Sequence, residues 1–330
     1  MQLIDLYIDY IRDVRRYSSR TVQIYEDVLN RYVEHASKGS ATFSERDLLE
    51  SLNVSEIRSY EVYLMEKCNM IPRTVRLHLS ALSGFCRFLI GKGLLQSNPV
   101  KLVPKPKSEK RLPSFYKNES MEKYFADSAH YASRDELDGF LQSPLSESGR
   151  KAYEKRLARL IVSALYGLGL RRSELIELTV GNVDFGRKVV KVHGKGDKMR
   201  EIPLVVSLSE EFLLYLEAVE ALCGGKRSLK EPLFVTYKGA ALYPAYVDRV
   251  IKSELGSVDG ITGQKSPHVL RHSIATELLN EGTDLNSIKE LLGHSSLAAT
   301  QVYTHSSIAR LKDIYKQAHP RAKNGGKHGD

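Results

Sequence analysis

The sequence predicts a mainly α-helical protein with one small antiparallel β-sheet, divided into two domains. Apolar residues recur at helical spacing through the first hundred positions and again through most of the second half. One pair of alternating segments, Lys188 to His193 and Met199 to Leu204, flanks a glycine-bracketed turn. A lysine- and proline-rich stretch, 101–114, separates the two regions. The 330 residues suffice for two average domains, each with its own core.

Taken in order, Ser18-Ser19 cap a helix that carries Val22, Tyr25, Leu29, Tyr32 and Val33 on one face. Asn53 to Glu66 forms a second helix. Pro72, at the favoured first-turn position, opens a third with Val75, Leu79, Leu82, Cys86 and Leu89 aligned, closed by Gly91 and Gly93. No strand signal interrupts this bundle, which is expected to occupy residues 1–100. The segment 101–111 holds five basic residues, one acid and prolines at 104 and 106, a composition that stays extended and solvated. Helical patterns follow at 155–170 and 171–178, then the hairpin turning at Gly194-Lys195-Gly196-Asp197-Lys198. They return at 209–223, 244–255, 267–280, 284–293 and 296–303. A last one, 307–318, aligns Ile308, Leu311, Ile314 and Tyr315. The second domain is accordingly placed at 115–318, with 319–330 a frayed tail.

Composition narrows the function. Apolar residues make up 42% and charged residues 27%, with mean hydropathy −0.31, which excludes a membrane protein and a wholly disordered chain. Lys and Arg outnumber Asp and Glu by 49 to 40, giving a net charge of +9. Such a balance in a globular protein suggests a polyanionic partner, and nucleic acid is the commonest one. Asp5, Asp9 and Asp13 break up any apolar leader core. The apolar stretch 157–170 is too short to span a bilayer and contains Arg159. Cys68, Cys86 and Cys223 are scattered and odd in number, so they form neither a disulfide framework nor a zinc site. A reduced, cytoplasmic protein is expected, with no metal and no cofactor.

The chemistry-bearing residues gain meaning from their order. A His-x-x-Arg pair such as His268 and Arg271 arises readily by chance. Gly194-Lys195-Gly196 lacks the phosphate-loop frame and precedes a strand, so no nucleotide site is expected there. But Leu165-Tyr166-Gly167-Leu168-Gly169-Leu170-Arg171-Arg172-Ser173-Glu174-Leu175 sets an arginine at a helix start behind two glycines. It is followed by Lys195, by Pro267-His268-Val269-Leu270-Arg271-His272, by Leu291-Leu292-Gly293-His294, and by Thr300-Gln301-Val302-Tyr303.

On these motifs the sequence resembles the tyrosine recombinase (phage integrase) family, with its Xer branch the nearest. The resemblance extends over nearly the whole chain, including SSRTVQIYEDVL, RTVRLHLSAL and the ending RLKDIYKQAHPRA. It implies a helical core-binding domain and a mixed catalytic domain that together clamp duplex DNA. Carried over residue by residue, Arg171, Lys195, His268, Arg271, His294 and Tyr303 form the active site, with Tyr303 the nucleophile. Glu174 matches an acid that braces it. Arg172, Tyr243-Pro244 and the polar region 121–155 depart from the family pattern without touching those six positions.

The residue types suit the chemistry. Two permanently charged guanidinium forks can hold the non-bridging oxygens of a phosphodiester. The histidines add donors or carry the tyrosine proton. A phenol in such a cationic site becomes a covalent nucleophile, and a lysine on a hairpin can protonate the departing oxygen. Arg20, Arg73, Arg76, Lys105 and Lys107 are expected to contact DNA phosphates. The resemblance further implies a target with inverted half-sites. It also implies a homo- or hetero-tetramer on two duplexes working through a Holliday junction, in chromosome dimer resolution, inversion or integration. A non-catalytic DNA-binding regulator is the first rival, which the intact motif set opposes. A monomeric topoisomerase is the second, which the apolar stripe at 307–318 opposes.

Overall fold

The computed structural model describes residues 2–40, 42–107, 115–194 and 198–293. The chain divides into two units between Arg111 and Leu112, and each has a core of its own.

The first unit is a helical bundle. The N-terminal segment, whose aspartates gave no leader core, folds as α1 (Gln2–Asp9) and runs into a π-helical turn, Tyr10–Val14. The acids stay outside while Ile4, Tyr7, Ile8 and Ile11 are buried. α2 (Ser19–Ser37) begins where Ser18 accepts the Thr21 N–H. α3 (Glu45–Ser51), absent from the sequence reading, starts on a reciprocal capping box between Ser44 and Asp47. Asn53 caps α4 (Val54–Val62), which continues into a second π-helical turn at Tyr63–Lys67. α5 (Pro72–Gly91) carries the expected proline at its first turn and buries Val75, Leu79, Leu82, Phe85, Cys86 and Leu89. A short 3-10 turn, Pro99–Leu102, follows. Val100 and Val103 are buried in this same core, so the start of the segment expected to be solvated is folded with the bundle. Two valines in register with the turn outweigh the neighbouring lysines.

At the centre of the bundle Tyr60 and His78 share a buried hydrogen bond of 2.9 Å, and Tyr32 meets Tyr60 edge-on. Burial, and secondarily the charge of Arg31, push His78 down to about 4. The unfolded chain binds a proton near 6.5 that the folded unit refuses, so stability is complete above pH 6.5 and falls as the pH drops from there towards 4. His78→Gln does not titrate there. Thermal unfolding of the variant is expected to lose this pH dependence between 6.5 and 4, and a slope equal to that of the parent would refute the assignment.

The second unit is built around α8 (Glu147–Gly167), which is continuously buried from Arg156 to Gly167. α6 (Asn118–Asp127) and α7 (Arg134–Gln142) occupy the polar region where no helix was read from the sequence. Buried ion pairs fasten them: Arg156 to Glu136 on α7, and Arg159 to Glu211 at 3.0 Å and to the Phe125 carbonyl at 2.9 Å. The arginine that argued against a membrane span is thus a core residue with a buried partner. No helix among the described residues is long and apolar enough to cross a membrane.

After α9 (Arg172–Glu177) comes a three-stranded antiparallel sheet: β1 (Val183–Asp184), β2 (Val189–Gly194) and β3 (Lys198–Pro203). In the β2–β3 hairpin Val190 faces Ile202 and Val192 faces Arg200. α10 (Val206–Cys223), α11 (Pro244–Glu254), α12 (Pro267–Asn280) and α13 (Leu285–Leu292) complete the described chain. Pro244 starts α11 without any side-chain cap from Tyr243. The helices expected at 296–303 and 307–318 lie outside the described residues.

Candidate active site

The site forms where the start of α9, strand β3, α12 and the end of α13 meet. α8 stops at Gly167, and Gly169, with φ +58°, turns the chain so that Arg171 stands at the head of α9. An added Cβ at Gly169 would lie 2.5 Å from Leu292 Cδ2, so glycine is needed for close approach as well as for conformation.

Glu174, one turn into α9, reaches back to accept the Arg171 backbone N–H at 2.8 Å. Its other oxygen accepts from Arg171 Nη1 at 2.6 Å. Arg200, projecting inward from β3, places its fork on the same carboxylate at 2.9 and 2.8 Å. Burial alone would raise the Glu174 pKa. The Arg200 fork and then the Arg171 donors outweigh it and hold the carboxyl at about 2.

All three arginines of the cluster also bind the end of α13. Asp284 caps the beginning of that helix by accepting the Asn286 and Ser287 N–H groups. Gly293, with φ +62°, closes its end. The final carbonyls of a helix lack partners within it and carry partial negative charge. Here Arg200 Nε donates to the Leu291 carbonyl at 3.0 Å, Arg271 Nη2 to that of Leu292, and Arg171 Nη2 to that of Gly293 at 2.9 Å. Arg271 Nη1 donates to the Gly169 carbonyl as well. Burial, and then repulsion from Arg171, lower Arg271 to about 10, which leaves it a cation at neutral pH.

The fold therefore brings together Arg171, Arg271 and Glu174 from the expected set. His268 lies one turn before Arg271 on α12 and is exposed. Lys195, His294 and Tyr303 lie outside the described residues. In the sequence His294 directly follows Gly293, and Lys195 directly follows Gly194, the last residue of β2. Arg171 keeps 31% of its side chain exposed, and each guanidinium has five N–H donors. Two cationic forks fixed from behind by protein acceptors, one of them open to solvent, can receive a phosphate monoanion without rearranging.

Arg200 is a residue that the sequence reading passed over. Its signal was available, since it shares strand parity with Ile202 on a hairpin with one buried face. Arg172 pairs with Asp248 on α11, a local packing role for the position that departs from the family pattern. No group of three or more His, Cys, Asp and Glu side chains among the described residues is placed to hold a metal.

In the first unit Arg20, Arg73, Arg76, Lys105 and Lys107 are exposed. Tyr25 on α2 lies against Gly84, while Tyr32 meets Tyr60 and through it His78. α2 and α5 therefore run antiparallel. Arg20 at the start of one and Arg73 at the start of the other sit towards opposite ends of the bundle and do not form one cluster.

Replacing Glu174 by Gln should destabilise the fold, since breaking a buried ion pair costs about 3–5 kcal/mol. The depressed carboxyl stabilises the folded state above pH 4.5, and that contribution disappears as the pH falls towards about 2. The gap in unfolding free energy between parent and variant should therefore narrow on acidification across this range. A gap constant from pH 6 to 2 would contradict the arrangement.

Comparison with known proteins places these residues in a wider set. The profile of the phage integrase family matches residues 135–310, and that of the phage integrase N-terminal SAM-like domain matches 4–93. The tyrosine recombinase XerC of Chlorobaculum parvum is 34% identical, over 97% of this chain and 94% of that protein. The Bacillus subtilis XerC is 32% identical, over 97% and 96%. Among solved structures, the XerH recombinase bound to a palindromic difH substrate, a post-cleavage complex, aligns with TM-score 0.63 at 21% identity. That alignment covers 89% of this chain and 79% of the other. The Tn1549 transposon integrase in complex with circular intermediate DNA aligns with TM-score 0.59 at 19% identity, covering 93% and 98%.

Proposed function

The chain belongs to the phage integrase family and is a tyrosine-type site-specific DNA recombinase of the Xer kind; we propose that Tyr303 is its nucleophile and that Arg171, Lys195, His268, Arg271 and His294 complete its active site. The observation that carries this reading is the meeting of Arg171 and Arg271 on adjacent carbonyls at the end of α13, immediately before His294.

In this reading the two guanidiniums receive the non-bridging oxygens of the scissile phosphate, where negative charge grows during attack. The Tyr303 phenolic oxygen forms a bond to phosphorus as the bond to the 5′-oxygen breaks, and its proton passes to a histidine. Lys195 gives a proton to the departing oxygen, leaving a 5′-hydroxyl and a 3′-phosphotyrosyl bond. That bond retains the energy of the broken linkage. A 5′-hydroxyl from a second duplex can attack it, release the tyrosine and rejoin strands without ATP. Exchange of strands through a Holliday junction requires four protomers on two duplexes, of this chain alone or with a related recombinase. The work is cytoplasmic, on chromosomal or element-borne DNA.

Covalent protein–DNA adducts trapped in the host and mapped across its genome test the proposal. Recovery of a discrete site with inverted half-sites supports it, and an absence of adducts at any site overturns it. On the recovered site, affinity should fall with salt by about −0.9 in log–log slope per phosphate neutralised. Alanine at Arg20, Arg73 or Arg76 should each reduce the slope magnitude by about 1. An unchanged slope for all three would remove them from the DNA interface.

A further inference from the structure

We propose that Arg200 is a positioning residue for DNA cleavage, joining Glu174, and through it Arg171, to the end of α13 as one rigid unit. The inference deepens the reading of Arg171 and Arg271 as phosphate ligands and rests on it.

Four observations converge on the residue. Arg200 is 5% exposed, on the strand face that also buries Ile202 and opposite the buried Val192. Its two Nη groups donate one to each oxygen of Glu174, a bidentate arrangement that a lysine ammonium cannot reproduce. Its third nitrogen holds the Leu291 carbonyl, three residues before His294 in the chain. Gly293 is shaped to it: an added Cβ there would stand 3.1 to 3.4 Å from the guanidinium and its stem.

The partner distinguishes this pair from the other buried ion pairs. Arg156 and Arg159 tie α8 to α7 and α10, and their carboxylates hold no member of the candidate site. The carboxylate that Arg200 grips is the one Arg171 grips. Without Arg200, Glu174 is tethered by α9 alone, and the Leu291 carbonyl loses its donor. Arg171 is then related to the end of α13 only by its own bond to the Gly293 carbonyl. A misplacement of about 1 Å can cost about 10²-fold in rate.

The experiment uses the full-length protein and a nicked duplex built on the site recovered by adduct mapping, with parent, Arg200→Met, Arg200→Lys, Gly293→Ala and Arg159→Met compared. Melting temperature, duplex affinity and single-turnover adduct formation at saturating protein are measured for each. Arg200→Met is expected to bind the duplex as the parent does but to form adduct about 10²-fold more slowly. Arg200→Lys should recover only part of the rate, because it restores charge without the fork. Gly293→Ala, which keeps Arg200 but crowds it, should also slow cleavage, and it decides the matter if Arg200→Met fails to fold. Arg159→Met should melt lower and yet cleave at the parental rate. Parental cleavage by Arg200→Met, or by Gly293→Ala where the former does not fold, overturns the proposal. So does an equal loss of rate in Arg159→Met, which would make the effect one of stability alone. Failure of the parent itself to form adduct would instead overturn the recombinase reading on which the proposal stands.

Discussion

Tyr303→Phe is expected to abolish covalent capture of DNA and to leave duplex binding in place. The substitution deletes one oxygen atom and none of the cations that attract phosphate. Most of the affinity of a protein for duplex DNA comes from such cations. The aromatic ring itself is retained. Without the phenolic oxygen no bond to phosphorus can form, and the loss is complete and not a matter of degree. A suicide substrate, nicked so that the cleaved strand diffuses away, reads this directly as protein–DNA adduct in a denaturing gel. Adduct from the phenylalanine variant would move the nucleophile elsewhere. Loss of binding together with loss of adduct would mean that the residue also helps to build the DNA surface.

The second large effect separates Lys195 from Arg271. If Lys195 protonates the departing 5′-oxygen, its loss matters because an alkoxide is a poor leaving group. Lys195→Ala should then cleave ordinary DNA about 10²–10⁴-fold more slowly. On a substrate with sulfur at that bridging position the leaving group is a thiolate of much lower pKa, and the rate should recover. Arg271→Ala should be slow on both substrates, since sulfur leaves the charge on the non-bridging oxygens unchanged. It should also melt lower, because the Gly169 and Leu292 carbonyls lose their buried donors. Equal rescue of the two variants, or of neither, would refute this division of roles. Rescue of Lys198→Ala in place of Lys195→Ala would shift the acid three residues along the turn.

Much of the fold was legible because the signals were local. Ser18, Asn53 and Pro72 start their helices through contacts within one turn, and the β2–β3 hairpin is fixed by alternation and a glycine turn. α1 was concealed by its aspartates, which interrupt the apolar run but are ordinary on the outer face of an amphipathic helix. α6 and α7 were hidden by their polarity: the apolar residues are few, and α7 is secured by charges that find partners on α8 and α10. Within the site, Arg171, Glu174 and Arg271 stand out by motif. Arg200 does not, because one arginine in an alternating strand resembles an exposed charge. Its burial is decided by Glu174, 26 residues away, and by Leu291, 91 residues away. The carbonyls of residues 291–293 carry no side-chain signal at all, and their role is visible only in three dimensions.

The wide spacing of these contacts bears on how the protein is made. The bond from Arg171 to Gly293 closes a loop of 122 residues, and the one from Arg271 to Gly169 closes 102. Such non-local pairings form late in folding, after the entropy of loop closure has been overcome. During synthesis Arg171 and Arg200 leave the ribosome long before residues 291–293 exist to receive their donors. A nascent chain that stops short of Leu291 contains Glu174 to join Arg171 and Arg200, but not the carbonyls on which all three arginines meet. The complete arginine cluster is therefore assembled only once nearly the whole polypeptide has been made.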